Sequence, residues 1–183
     1  MFMKNLVDFT KLGGAFYICS GWSSYPTFMY AMQRNGIYFS QPIVWLKDYT
    51  AYGWNDYRYK YELVIKNKNK KIVNQPVLYG WKEGAEHYFS AERDETDVWR
   101  VNKRASNTMV HPTQKPVELV GRAIRNSSKI EEIVLDLFGG SGSTLIACEQ
   151  LKRICYMMEL DPYYCHVIID RWGKLTGKEA VKI

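Results

Sequence analysis

The sequence predicts an α/β fold in which helices flank a layered sheet. Helical and strand-like segments alternate in residues 1–47 and again in residues 111–183, as in proteins that pack helices on a sheet. A strand, a glycine-rich turn, a helix and a second strand follow one another over residues 133–160, which is the order of a βαβ unit. Residues 48–110 lack this alternation, so we expect an irregular lobe between the two parts.

The composition is that of a folded protein and excludes fibrous and disordered classes. Apolar residues make up 46% of the 183 residues and charged residues 24%, and a chain of this length can bury a core without staples. No apolar run approaches the roughly 18 residues of a membrane span, and the first residues lack a signal-peptide pattern. We therefore expect a cytoplasmic protein. The four cysteines form no Cys-x-x-Cys pair, which predicts reduced thiols and disfavours a zinc site at Cys155, Cys165 and His166.

The N-terminal part reads as helix, strand, helix and strand, over residues 4–12, 15–20, 25–35 and 37–47. Gly13 and Gly14 are expected to end the first helix, and Ser23 or Ser24 to cap the second. Pro42 is the expected break in the last segment, which is either one long strand or two short ones.

The middle segment, residues 48–110, is polar, basic and rich in Tyr and Trp. Residues 61–65 and 77–81 look like strands, and the charge run at residues 66–71 is typical of a solvated loop. A net charge of +6 with 15% aromatic residues fits a surface that neutralises phosphates and stacks on bases. The same aromatic residues could instead fill a core and its rim.

The C-terminal part begins with the turn HPTQKP at residues 111–116. We predict an amphipathic helix, a buried strand, a helix, a second strand and a last helix opened by Pro162, over residues 117–128, 133–138, 144–153, 154–160 and 162–175.

The glycine turn DLFGGSGST at residues 136–144 is the main candidate site. A phosphate-binding loop would need a lysine before the Ser or Thr, and a dinucleotide fold would need a later glycine, so both are poor matches. S-adenosylmethionine carries no pyrophosphate; it needs one acid for its ammonium group and a second for its ribose hydroxyls, which Asp136 and Glu159 can supply. A turn that merely caps a helix beside two surface acids is the remaining interpretation.

Three segments then occur in a fixed order: HPTQKPVEL at 111–119, LDLFGGSGST at 135–144 and YMMELDPYYCHVIIDRW at 156–172. Together they resemble motifs of the S-adenosylmethionine-dependent DNA amino-methyltransferases, bacterial and phage enzymes of DNA methylation and restriction–modification that modify adenine N6 or cytosine N4. The order resembles the permuted β-type arrangement. The resemblance implies an incomplete Rossmann-like methyltransferase sheet, with residues 1–47 as a remnant of the catalytic half, 48–110 as a target-recognition lobe and 111–183 as the cofactor-binding half.

The resemblance also implies which residues bind. Around S-adenosylmethionine it places Asp136, Phe138, Gly139, Gly140, Ser141, Gly142, Ser143, Thr144, Glu159, Asp161 and Pro162, with His111, Thr113, Gln114 and Lys115 closing over the methionine end. The prolines stiffen that closing loop, which lowers the ordering cost of binding. The candidates for facing DNA are Trp81, Lys82, Arg93, Arg100, Lys103 and Arg104; a solvated basic face is the alternative. No metal is expected.

A catalytic D-P-P-Y-like motif, which in this family holds a flipped base, does not occur in the 183 residues. The near match Asp161-Pro162-Tyr163-Tyr164 has the context of the cofactor-side acid loop, so no catalytic residue is assigned. In the permuted order the motif and a central strand would precede residue 1. Because unpaired groups of a buried strand cost about 1–3 kcal/mol each, we expect a truncated product, a second chain or homodimer that supplies the strand, or closure of the flanking strands.

Three function classes follow from these patterns. The first is part of a site-specific DNA methyltransferase that transfers a methyl group from S-adenosylmethionine to adenine N6 or cytosine N4. The second is a catalytically inactive remnant that binds DNA or a protein partner. The third is a small-molecule or RNA methyltransferase with a shared cofactor half. The sequence does not separate adenine from cytosine as the target.

Overall fold

The computed structural model describes residues 2–47, 73–90, 95–101 and 114–182. The chain divides into two compact units, Met1–Lys103 and Arg104–Ile183. No helix among the described residues is long and apolar enough to cross a membrane.

The first unit is built on a four-stranded sheet. Its elements are α1 (Phe2–Asp8), β1 (Ala15–Cys19), α2 (Tyr25–Arg34), β2 (Ile37–Lys47), β3 (Val73–Lys82) and β4 (Val98–Arg100). The strand order is β1-β3-β2-β4; β3 runs antiparallel to both of its neighbours, and β4 runs parallel to β2. The strand predicted at residues 77–81 is confirmed as part of β3, which lies between β1 and β2. The one predicted at residues 61–65 lies outside the described residues.

Both faces of this sheet contain buried side chains. On one face, Met3 of α1 and Met32 of α2 pack with Phe16, Ile37 and Leu78 of the strands. Register places a second set of side chains on the opposite face, including Tyr17, Trp45, Tyr79 and Trp99. Of these, Trp45 is 1% exposed, and its Nε1 donates to the carbonyl oxygen of Val101 at 2.9 Å. The sheet is therefore a packed layer.

The first helix is shorter than predicted. It ends at Asp8 and not at the predicted residue 12. The Thr10 hydroxyl and the Lys82 ammonium group donate hydrogen bonds to the carbonyl oxygens of Leu6 and Val7, which the shorter helix leaves without helical partners. Phe9 is 84% exposed; the buried positions of this helix are Met3 and Val7.

The expected strand break at Pro42 is wrong. β2 runs unbroken from Ile37 to Lys47, and its one irregularity lies between Phe39 and Gln41. The proline is tolerated because β4 pairs with β2 only at Val44–Leu46, so Pro42 lies beyond β4 and needs no ladder donor on that side.

The second unit contains the predicted βαβ order. Its elements are α3 (Val117–Ser127), β5 (Ile133–Asp136), α4 (Ser143–Leu151), β6 (Ile154–Met157) and α5 (Pro162–Thr176). β5 and β6 are parallel, with Ile133 opposite Ile154 and Asp136 opposite Met157. Val134 and Cys155 face a small core formed by Ile124, Ala147 and Cys148 from the helices.

The strand predicted at residues 133–138 is present as β5, Ile133–Asp136, but the expectation that it is buried is wrong. Within the described residues this sheet has two strands, and both end before Glu159. Ile133 is 60% exposed and its neighbour Ile154 is 47% exposed, and they share one face with Leu135 and Tyr156. Helices cover the other face. The three expected outcomes for a missing central strand (a truncated product, a second chain or homodimer that supplies the strand, and closure of the flanking strands) stay predictions.

Candidate functional site

The glycine turn that follows β5 folds back on the loop after β6. Gly139 N–H donates to the Met158 carbonyl at 2.8 Å, and Gly142 N–H donates to the Gly139 carbonyl at 2.8 Å. A Cβ at position 139 would lie 2.7 Å from Cγ and Sδ of Met157, which is closer than atoms pack. Gly140 and Gly142 have φ of 53° and 79°, a region that glycine adopts without steric cost. The turn therefore requires glycines at these positions.

Asp136, the last residue of β5, holds the beginning and the end of this turn. Its Oδ1 accepts from Phe138 N–H at 2.9 Å, and its Oδ2 accepts from the Thr144 hydroxyl at 2.6 Å. The two carboxylate oxygens thus bind groups at Phe138 and at Thr144, which fixes the first turn of α4 against the end of the strand. Thr144 is one of the predicted site residues.

Glu159, two residues after β6, reaches the middle of the same turn. Its Oε2 accepts from Gly140 N–H at 2.6 Å, and its Oε1 accepts from the N–H groups of Leu160 and Asp161 at 2.8 and 3.0 Å. The two acids predicted from the sequence are therefore both bound to one glycine turn, although they follow different strands.

Asp161 and Pro162 begin α5. The Asp161 carboxylate accepts from Tyr163 N–H at 2.9 Å, the usual role of an N-cap side chain, and Pro162 occupies the first turn of the helix. The segment Asp161–Tyr164 is thus a helix start, and its exposed acid follows Glu159 by two residues in the chain.

The end of the HPTQKP loop lies beside the start of α4. The Ser143 hydroxyl donates to the Lys115 carbonyl at 2.7 Å, and Ser143 itself is buried. Gln114 and Lys115 thus belong to a segment that contacts the first turn of α4. His111 and Thr113 lie outside the described residues.

Two residues of α5 that the sequence analysis did not single out also contact the glycine turn. Ile168 lies 3.1 Å from the position of a Cβ on Gly142, and Arg171 donates through its guanidinium group to the Ser141 carbonyl. Their spacing of three residues puts them on one helix face. This spacing was the signal available in the sequence.

A pair of thiols lies on the helix-covered side of β5 and β6. A hydrogen bond to Cys148 and burial raise the pKa of the Cys155 thiol well above its usual range. The same hydrogen bond lowers the pKa of Cys148. Cys148 is fully buried and packs with Ala147 and Ile124, whereas Cys155 is half-buried.

The structure also contains a groove of about 430 Å³ in the second unit, separate from the glycine turn. It lies along α4, β6, α5 and the residues after α5, and Leu145, Arg153 and Trp172 are among its lining. Neither Asp136 nor Glu159 lines this groove.

Comparison with known families decides what kind of protein carries this turn. The model of the N6_N4_Mtase family, described as DNA methylase, matches residues 1–170. The chain belongs to this family.

Curated relatives agree with the family but are longer. The type II methyltransferase M.Cfr9I of Citrobacter freundii is 30% identical over 162 residues, which are 82% of this chain and 49% of that protein. M.HinfI of Haemophilus influenzae is 23% identical over 185 residues, covering 93% of this chain and 49% of its own length. The chain thus spans about half the length of these relatives.

Solved structures show the same fold at low identity. The M1.HpyAVI–SAM complex has a TM-score of 0.74 at 20% identity, covering 93% of this chain and 80% of that one. The PvuII cytosine-N4-specific DNA methyltransferase has a TM-score of 0.72 at 17% identity, covering 93% and 68%. The α/β methyltransferase fold predicted from the sequence is thereby confirmed.

The residues predicted to face DNA have different surroundings. The Trp81 indole stacks on His87 at 3.7 Å between ring centroids and 12° between planes, and Tyr38 lies 4.7 Å away. The Lys82 ammonium group donates to the carbonyls of Val7 and Thr10, each at 2.8 Å. Both side chains are therefore engaged within the first unit.

Arg100 lies at the end of β4, and its side chain is exposed. The other predicted DNA-facing residues, Arg93, Lys103 and Arg104, lie outside the described residues.

Proposed function

We propose that this chain forms the cofactor-binding and target-recognition parts of an S-adenosylmethionine-dependent DNA methyltransferase that acts on adenine N6 or cytosine N4. The observation that carries the proposal is the shared attachment of Asp136 and Glu159 to one glycine turn. A phosphate-binding turn would instead present N–H groups with no carboxylate among them, because two anions there would repel a phosphate.

The chemistry of these groups fits the proposed cofactor. A carboxylate accepts hydrogen bonds and carries a negative charge, so it suits both an ammonium group and a pair of ribose hydroxyls. Glycines let a ligand approach the backbone closely. Phe138 is 70% exposed beside the turn and offers an aromatic surface to an adenine ring.

Binding is expected to change one contact. Glu159 Oε2 accepts from Gly140 N–H at 2.6 Å, and ribose hydroxyls would compete for the same carboxylate oxygens. We therefore expect the hydrogen bond from Gly140 to weaken as the ligand enters, and the two glycines with positive φ allow the turn to adjust.

In the reaction, the bound cofactor supplies a methyl group on a sulfonium sulfur; the exocyclic amine forms the new N–C bond, the S–C bond breaks, and the amine loses a proton. Within the 183 residues no D-P-P-Y-like motif is available to hold the target base. We therefore assign this chain cofactor binding and target recognition and propose that the catalytic motif is supplied by further sequence or by a second chain.

Calorimetric titration with S-adenosylmethionine tests the cofactor proposal. The wild-type chain should bind, while Asp136→Asn and Glu159→Gln should each weaken binding by about tenfold or more, which corresponds to about 1.4 kcal/mol per tenfold. Glu179→Gln is the control, because Glu179 is exposed, follows the end of α5 and lines the separate groove. A folded wild-type chain that gives no heat of binding would contradict the proposal.

DNA binding is tested by the salt dependence of affinity. If residues 48–110 form the target-recognition lobe and Arg100 contacts phosphate, affinity should fall steeply as salt rises, and Arg100→Gln should reduce the slope. Affinity that does not respond to salt would argue against this role.

The alternative is a catalytically inactive remnant that binds DNA or a protein partner. The absence of the motif from the sequence is what supports it. Methyl transfer from labelled cofactor to DNA, measured for the chain alone and after addition of a polypeptide carrying the motif, separates the two: restored transfer supports the enzyme, and DNA binding with no transfer in either case supports the remnant.

A further inference from the structure

The helix α5 contacts the glycine turn at two adjacent points. Ile168 packs against Gly142, where a Cβ would lie 3.1 Å from Cγ1 of Ile168. One helical turn later, the Arg171 guanidinium group donates to the carbonyl of Ser141, a residue that is 4% exposed.

The Arg171 contact fixes a peptide plane. The Ser141 carbonyl and the Gly142 N–H belong to one planar peptide unit, and that N–H donates to the Gly139 carbonyl at 2.8 Å. The plane is therefore held at both ends, by Arg171 and by Gly139. Gly140 and Gly142 both have positive φ. Since glycine has no Cβ, these residues can adopt many backbone conformations, and the two contacts restrict the turn to one of them.

The contact is not explained by stabilisation of α4. Ser141 lies two residues before the helix begins at Ser143, and the N-terminus of a helix carries a positive partial charge. A guanidinium group placed there is unfavourable for the helix dipole. Its effect is instead to orient the backbone of the turn that Asp136 and Glu159 share.

We infer that Arg171 is a positioning residue for cofactor binding. It acts through the Ser141 carbonyl, which keeps the turn in the conformation that presents both carboxylates to one ligand. The inference rests on the proposed function, since it concerns the same site.

The test uses three variants of the full chain and S-adenosylmethionine as the probe. Arg171→Met removes the donors while keeping the length of the side chain, and Arg171→Lys keeps the charge with a single donor group. Lys174→Met is the control, because Lys174 lies on the same helix, is exposed and pairs with Asp170. Calorimetry gives the affinity, and the melting temperature without ligand reports on folding.

Arg171→Met should bind the cofactor roughly tenfold more weakly, Arg171→Lys should fall between Arg171→Met and wild type, and Lys174→Met should match wild type. Wild-type affinity in Arg171→Met would overturn the inference while leaving the proposed function intact. Absence of binding in the folded wild type would overturn the proposed function itself. Should Arg171→Met not fold, Arg171→Lys decides: weaker binding at an unchanged melting temperature supports the inference, and unchanged binding overturns it.

Discussion

The two sheets of this protein differ in how they bury their apolar residues. The sheet of the first unit has buried side chains on both faces, with Ile37, Leu78 and Trp45 all at most 1% exposed. The β5–β6 sheet packs against helices on one face only, and Ile133 and Ile154 on its other face are half exposed or nearly so.

This difference in burial predicts that the first unit contributes most to stability and that the second unit contributes most to ligand binding. Burial supplies most of the stabilisation of a folded domain, so the first unit should account for the larger losses on mutation. The second unit holds its glycine turn through hydrogen bonds that the carboxylates of Asp136 and Glu159 accept and that the guanidinium group of Arg171 donates. These contacts depend on a few polar atoms. Its substitutions should therefore affect binding more than unfolding.

The largest expected effect compares one residue type in the two sheets. Ile37→Ala should lower the free energy of unfolding by about 2–5 kcal/mol, because Ile37 is 1% exposed and its removal leaves a cavity. Ile133→Ala should cost less than about 1 kcal/mol, since Ile133 is 60% exposed. Urea denaturation of both variants checks this. Equal losses would show that the outer face of β5 is covered in solution.

The second effect concerns the glycine turn. Gly139→Ala should cost about 1–3 kcal/mol of stability, because the new Cβ would press on Met157, and it should also abolish cofactor binding. Gly21→Ala is the matched control, since its nearest neighbours are side-chain atoms at 3.8 Å. Thermal unfolding and calorimetry give the two readings; normal binding by Gly139→Ala would contradict the close packing described for the turn.

A third comparison tests whether Lys82 has a structural role in the first unit. Lys82→Met leaves the carbonyls of Val7 and Thr10 without its two hydrogen bonds, which should cost about 1–2 kcal/mol. Lys4→Met should cost little, because Lys4 forms an exposed ion pair with Asp8. Lost DNA affinity at unchanged stability in Lys82→Met would instead support the DNA-facing prediction for this residue.

The smallest effect reports on the covered face of the second sheet. Cys155 should be alkylated slowly even at pH 9, because its raised pKa keeps the thiol protonated and the thiolate is the reactive form. Since the unfolded chain ionises this thiol first, near its ordinary pKa of about 8.5, the contribution of Cys155 to stability should decline as pH rises above that value. Mass spectrometry after labelling in native buffer and in urea checks the first point; fast native labelling would contradict the raised pKa of Cys155.

Several features could be predicted from the sequence because they depend on local chemistry. The backbone conformation of the turn at residues 136–144 requires glycines, whatever packs around it. The periodic apolar residues of 117–128 form a helix whose ends are close to those expected. The order of strand, turn, helix and strand follows from the same local patterns. The role of Asp161 and Pro162 at the start of a helix follows from capping preferences.

Other features depend on contacts between distant segments. The sequence does not indicate that Val73–Lys82 lies between β1 and β2, that Lys82 binds α1, or that Arg171 reaches Ser141. Each of these contacts joins residues that are far apart in the chain. The predicted burial of β5 is wrong for the same reason. The sequence of an apolar strand does not indicate whether other segments cover one face of the strand or both. Residue chemistry and spacing thus determined which groups form the site, whereas packing between distant segments decided which of them meet and which faces stay exposed.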